Sequence, residues 1–110
     1  MIKTMGLAKR REGMSVEAFH RHWRDVHGPL VARTPGLRRY VQSHTLPEMY
    51  NSDTPPAYDG LAELWYDSLE VYPLGRRAGR PRTRAVADLV NFAGESRTPA
   101  IVTREVVILE

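Results

Sequence analysis

The sequence predicts an α+β domain with a ferredoxin-like, split βαβ order of elements: strand, helix, strand, strand, helix, strand. Segments with strand-like composition, bounded by turn residues, stand at positions 2–9, 37–45, 58–66 and 100–109. Helical periodicity of apolar residues occurs after the first strand and again before the last. This order is typical of an antiparallel sheet with both helices on one face. The length of 110 residues fits a single domain spanning 1–110.

The first predicted helix begins after Ser15, which can cap a helix N-terminus, and runs to about Val26. One buried stripe is expected from residues at helical spacing, namely Phe19, Trp23, Val26 and Leu30. Gly28 and Pro29 should then end or kink this helix, because proline lacks the amide donor. Pro29 could equally open a short second helical piece.

The second predicted helix is less regular than the first. Ser68 can cap it, but helix breakers follow at Pro73, Gly75, Gly79 and Pro81. A clearer helical run extends from 83 to 92, with an apolar side formed by Ala85, Val86, Leu89 and Phe92. Between the second and third strands, the segment 46–57 contains three prolines. We expect it to be a mobile loop that borders a binding pocket.

Composition excludes several classes of protein. Hydrophobic residues make up 42% and charged residues 26%, as in a globular protein rather than a disordered one. The chain has no cysteine, which excludes disulfides and thiol chemistry and fits a cytoplasmic location. No apolar run approaches the ~20 residues of a membrane span, so no membrane partner is expected. Five arginines lie between 76 and 84 without interleaved aromatics or a binding motif, so no nucleic-acid partner is expected.

The last predicted strand is apolar on both sides. One side carries Ile101, Val107 and Leu109, and the other carries Val102, Val106 and Ile108. One side can meet the helices, but the chain has no further element to cover the other. A second copy of the sheet is the simplest cover, so the sequence predicts a homodimer.

His27 is the candidate catalytic residue. It stands where Gly28 and Pro29 interrupt the helix, and a neutral imidazole there could act as acid or base. The alternative is a structural histidine that bonds the backbone carbonyls freed by the kink. No metal is expected, because His20 and His22 point about 200° apart on a helix. His20 and His27 lie on one side but roughly 10 Å apart, too far to chelate one ion unaided.

Four further residues are candidate substrate-binding groups. Tyr40 and His44 share one face of the second strand, about 13 Å apart, and could line a cleft from its two ends. Glu63 and Trp65 share one face of the third strand. Glu63 is either an exposed charge or a buried carboxylate paired with an arginine, and Trp65 is more often a core residue than a ligand platform.

Three motifs resemble the EthD family, which is named for ether degradation: HWRDVHGPL at 22–30, PGLRRYV at 35–41 and YDGLAELWYDS at 58–68. Asp88-x3-Phe92 resembles a later motif of the same family. The resemblance implies a dimeric α+β barrel in which two ferredoxin-like sheets pair, with a small-molecule pocket between sheet and helices. The chain departs from the family between 70 and 82, where an uninterrupted helix would be expected.

The resemblance implies two alternative functions. Relatives include muconolactone methylisomerases, polyketide cyclases or dehydratases, cofactor-free oxygenases and proteins without known activity. The first alternative is therefore a cofactor-independent enzyme of catabolism or polyketide tailoring that acts on a small, oxygenated, apolar compound, with His27 as acid or base. The second is a non-catalytic accessory or binding protein of a monooxygenase system. The superfamily also has haem-binding branches, but no feature besides His27 supports haem, so no cofactor is expected.

Overall fold

A computed structural model describes residues 1–71, 84–94 and 99–110. Its four strands are β1 (Ile2–Ala8), β2 (Leu37–His44), β3 (Gly60–Tyr66) and β4 (Ala100–Thr103). They form one antiparallel sheet in the order β2-β3-β1-β4. The helical segments are α1 (Val16–His22), a π-turn (Trp23–His27), α2 (Gly28–Val31), a 3-10 turn (Pro47–Asn51) and α3 (Arg84–Phe92). The predicted α+β, ferredoxin-like class is confirmed, whereas the departure predicted within 70–82 lies almost wholly outside the described residues.

The first helix begins as predicted, since the Ser15 hydroxyl accepts a hydrogen bond from the amide of Ala18 at 3.1 Å. It does not end at Gly28 but passes through the π-turn, in which the Gly28 amide bonds to the Trp23 carbonyl five residues back. The next residue, Pro29, has no amide with which to continue the regular ladder. The alternative prediction of a short second helical piece corresponds to α2.

The π-turn changes which residue faces the core. It inserts one extra residue after Trp23, so His27 is only 8% exposed, whereas Val26 is 45% exposed. The predicted buried stripe is therefore right for Phe19 and Trp23 and wrong for Val26. A shift of one residue has placed a titratable ring where the regular helix would have placed an aliphatic side chain.

The core lies between the helices and one face of the sheet. Phe19 contacts both Trp23 and Phe92, with ring centroids 5.6 Å apart in each pair. The cluster packs against Ala8 and Ala62, whose strands are paired in register. The opposite face of the sheet, which carries alternate residues such as Met5, receives no helix of the described part of the chain.

The orientation of α3 differs from the prediction. The apolar stripe was expected to be buried, but Val86 and Leu89 are 45% and 37% exposed. Phe92, a member of the predicted apolar side, does face inward, and Asp88 faces inward with it. The rotation is possible because the buried carboxylate of Asp88 finds hydrogen-bond donors on the first helix, as described below.

The last strand is shorter than predicted. It pairs with β1 only from Ala100 to Thr103, and the register matches Thr103 with Lys3. Since β1 begins at Ile2, the chain beyond Thr103 extends past the end of β1 and has no strand of the described sheet to pair with. The side chains of Val106, Val107, Ile108 and Leu109 are consequently 65–91% exposed. Among the described residues, no helix is long and apolar enough to cross a membrane.

Candidate active site

His27 and Asp88 form a buried pair between the first helix and α3. The Nδ1 atom of His27 lies 3.0 Å from Oδ2 of Asp88, and their side chains are 10% and 7% exposed. The ring of His27 also packs against Phe92, with centroids 4.7 Å apart. A carboxylate that accepts from one ring nitrogen fixes both the tautomer and the orientation of the imidazole.

Two other side chains hold the carboxylate in place. His22 donates from Nε2 to Oδ1 and Oδ2 of Asp88, at 2.8 and 3.0 Å, and Asn91 donates to Oδ1 at 3.0 Å. In a regular α-helix His22 and His27 would point about 140° apart. The longer π-turn brings both rings to the side of the helix that faces α3.

The ionisation of this pair follows from its surroundings. Burial alone would raise the pKa of Asp88, but the hydrogen bonds from Asn91, His22 and His27 outweigh it and hold that pKa below its usual value. Burial lowers the pKa of His27, and the nearby carboxylate only partly opposes this effect. At neutral pH the imidazole is therefore uncharged, its hydrogen is on Nδ1, and Nε2 carries a lone pair.

The Nε2 atom of His27 faces open space. No described residue forms a hydrogen bond with it, and no described side-chain nitrogen or oxygen is both fully enclosed and unpaired. The ring lines a cavity of about 150 Å³. The walls are mostly apolar and come from β1, β3, the first helix and α3, with Gly6, Leu7, Ala8, Lys9, Phe19, Trp23, Ala62, Leu89, Phe92 and Ala93. The cavity is thus lined by a histidine whose Nε2 has no partner among the described residues and which is not fully enclosed.

Tyr40 and His44 lie on the helix-covered face of the sheet but not in this chamber. Gln42 connects them: its amide nitrogen donates to the Tyr40 hydroxyl at 2.7 Å and to the Trp23 carbonyl at 2.8 Å, and its oxygen lies 2.8 Å from Nε2 of His44. Gln42, rather than His27, therefore bonds the carbonyl at the π-turn.

His44 belongs to a second network, which continues through Nδ1 of His20 at 2.6 Å. Nε2 of His20 lies 3.0 Å from the Tyr50 hydroxyl, which donates to Asp59 at 2.6 Å. We call His20, Gln42, His44, Tyr50 and Asp59 the His44 network. Every ring nitrogen in it contacts another group of the protein.

Glu63 and Trp65 lie on the opposite face of the sheet. Glu63 accepts a 2.8 Å hydrogen bond from Lys3, so its carboxylate pairs with a lysine rather than with an arginine. Trp65 donates to Glu105 at 3.2 Å, and the guanidinium of Arg39 stacks 4.6 Å from its ring centroid. The four predicted substrate-binding residues are thus divided between two faces, and none of them lines the cavity beside His27.

A larger cleft of about 950 Å³ lies beside the loop 46–57, which supplies Tyr50, Pro55, Pro56 and Ala57 to its lining. Its central polar groups already pair with one another, since Arg10 bonds Asp59 and Asp59 bonds Tyr50. We therefore prefer the smaller cavity, where a ring nitrogen is available. No group of three or more metal-binding side chains occurs among the described residues.

Sequence reasoning missed Asp88 as the partner of His27 and His22 as a second donor to Asp88. Asp88 was noted only as part of a family motif, although an acidic residue inside an otherwise apolar helix is itself a signal. The contact joins positions 61 residues apart and depends on the π-turn, which no local pattern indicated.

The fold and this site define a class: a ferredoxin-like α+β protein with a carboxylate-held histidine facing an apolar cavity. The model of the EthD domain matches residues 11–96, and the chain belongs to the EthD family. It is similar to the crystal structure of an ethyl tert-butyl ether D (EthD) family protein from Bacillus halodurans C-125, with 24% identity and a TM-score of 0.66. That match covers 96% of this chain and 99% of the other. No curated protein is significantly similar to this chain.

Proposed function

We propose that the protein is a cofactor-independent enzyme that moves a proton on a small, oxygenated, apolar compound, with His27 as the acid–base group. The observation that carries the proposal is the pairing of His27 with Asp88 through Nδ1, while no described residue bonds Nε2 and the ring lines a mostly apolar cavity. This is the geometry that a general base needs.

Proton transfer by this pair needs no further reactant. Nε2 of His27 takes a proton from the substrate, and the buried carboxylate of Asp88 stabilises the imidazolium that forms. Returning the proton to another carbon gives isomerisation, and giving it to a departing hydroxyl gives dehydration. A cofactor-free oxygenase would share the first step, after which dioxygen would react with the substrate anion.

The proposal is tested with a panel of lactones, phenols and cyclic ketones, screened for turnover with the wild-type chain. For any compound that reacts, His27→Ala should lower the rate by about 10²–10⁴-fold, because that is the usual contribution of general acid–base catalysis. The matched control is His20→Ala, which removes a histidine of the same helix that does not line the cavity. Binding without turnover across the panel, or full turnover by His27→Ala, would favour the non-catalytic accessory role.

We also propose that the protein forms a homodimer through the helix-free face of the sheet and the C-terminal segment. The support is the exposure of Ile101 (61%) and of the apolar side chains beyond β4, such as Ile108 (90%), which no described residue of the same subunit covers. Light scattering at micromolar concentration should give twice the mass of one chain. Ile108→Asp should weaken the dimer, and Val90→Asp, at an exposed apolar position of α3, should not. A monomeric wild-type protein would contradict this proposal.

A further inference from the structure

We infer that the cavity beside His27 selects an uncharged hydroxyl compound about the size of one six-membered ring. The inference rests on the proposed function of His27 and adds the size and chemistry of its ligand. It follows from the volume of the cavity, from its lining and from the direction of the hydrogen bond that His27 can make.

The volume of the cavity limits the size of its ligand. The cavity holds about 150 Å³, whereas pockets for drug-sized ligands hold about 300–1,000 Å³. An apolar cavity of about 150 Å³ is known to accept benzene in another protein. Aromatic rings of Phe19, Trp23 and Phe92 line the cavity from the helix side. By volume the cavity therefore matches a single six-membered ring rather than a fused two-ring compound.

The polarity of the lining excludes a charged ligand. Among the described residues of the lining, Lys9 is the only ionisable side chain besides His27, and Lys9 is exposed to solvent. A carboxylate or ammonium inside the cavity would lose its hydration without gaining a buried partner of opposite charge, which is costly. The fitting ligand is therefore neutral.

The need for a hydroxyl group on the ligand follows from the tautomer of His27. A neutral imidazole has one N–H, and Asp88 takes it at Nδ1, so Nε2 can only accept a hydrogen bond. An alcohol, phenol or enol can donate to Nε2, whereas an ether or a ketone cannot. The same contact holds the hydroxyl group of the ligand next to Nε2, the atom that takes a proton in the proposed reaction.

Two small residues on the sheet leave room for the ligand. Gly6 and Ala62 are paired in register between β1 and β3, and both line the cavity. A Cβ atom added at Gly6 would find Ala100 at 3.9 Å as its nearest neighbour, so the space above the glycine is open. Larger side chains at either position would occupy the space of the ligand.

The test is isothermal titration of the 110-residue chain at neutral pH with phenol, toluene and 2-naphthol. Phenol and toluene have nearly the same shape, but only phenol donates a hydrogen bond. Phenol should bind about tenfold more tightly than toluene, the factor expected for one buried hydrogen bond. 2-Naphthol should not bind at concentrations that saturate with phenol. His27→Leu should abolish the preference for phenol.

Ala62→Leu should remove binding of both single-ring compounds. Ala87→Leu, at an exposed position of α3, is the matched control and should change neither. Equal affinity for phenol and toluene, binding of 2-naphthol, or no binding of phenol at millimolar concentration would each overturn the inference. These results do not depend on turnover. Loss of catalysis in His27→Ala together with equal binding of phenol and toluene would retain the proposed function and reject this ligand class.

Discussion

The first helical segment supplies histidines to two separate networks. His20 joins the His44 network, in which Gln42, Tyr50 and the two rings use every histidine nitrogen. His22 and His27 join Asp88, and there Nε2 of His27 has no described partner. A network with all of its groups paired stabilises the fold, whereas one with a free basic atom beside a cavity can act on a ligand. Substitutions in the two networks should therefore have different effects.

The largest expected effect beyond His27 itself concerns Asp88→Asn. The amide keeps the size of the carboxylate but has no negative charge to stabilise an imidazolium, and it can reverse the tautomer of His27. We expect kcat to fall at least about tenfold and the thermal unfolding temperature to fall as well, because the amide cannot accept all of the hydrogen bonds that the buried carboxylate accepts. Asn91→Ala, which removes only one of the donors to the carboxylate, should have a much smaller effect on kcat. An unchanged kcat in Asp88→Asn would show that the carboxylate does not assist the reaction.

An effect on stability alone is expected for Tyr50→Phe in the His44 network. The substitution removes the hydroxyl that joins His20 to Asp59, whose side chain is 7% exposed. Asp59 keeps its hydrogen bonds from Arg10, so the loss of this one hydrogen bond should cost about 0.5–1.5 kcal/mol in the free energy of unfolding. Urea unfolding at fixed protein concentration measures this cost, with phenol binding as the second readout. If Tyr50→Phe impaired phenol binding without lowering stability, the division between the two networks would be wrong.

The smallest effect is a dependence of stability on pH. Burial is the main cause that lowers the pKa of His20, His27 and His44, so the unfolded chain binds protons more readily than the folded one. The free energy of unfolding should be constant above the usual histidine pKa of about 6.5 and should fall as pH decreases below it. His44→Gln should flatten this dependence. Stability that increases on acidification between pH 6.5 and 5.5 would contradict these pKa directions.

Local patterns predicted most of the fold. The cap at Ser15, the buried Phe19 and Trp23 and the strands β1 to β3 follow from spacing and turn residues, which act over a few positions. The predicted length of the C-terminal strand was wrong, because that length depends on where β1 begins, 100 residues earlier in the chain. The alternation of side chains along a strand correctly placed Tyr40 and His44 on one face of β2, and Glu63 and Trp65 on one face of β3. It could not indicate which face of the sheet the helices cover.

The candidate site could be predicted only in part. His27 was identified from its place before Gly28 and Pro29 and from the family motif. Its burial depends on the π-turn, which regular helical periodicity does not contain. Asp88 contacts His27 because α3 turns this charged residue toward the core. That orientation is favourable only because His22 and His27 lie on the side of the first helix that faces α3.

The central claim is that His27 is held through Nδ1 and keeps a free Nε2. The direct measurement is a pH titration of the histidine side chains by long-range ¹H–¹⁵N correlation NMR. We predict that His27 has the Nδ1–H tautomer, an apparent pKa below 6.5 and an Nε2 resonance that shifts on addition of phenol. An Nε2–H tautomer, or an Nε2 resonance that does not respond to phenol while phenol binds, would contradict the claim and leave His27 as a structural residue.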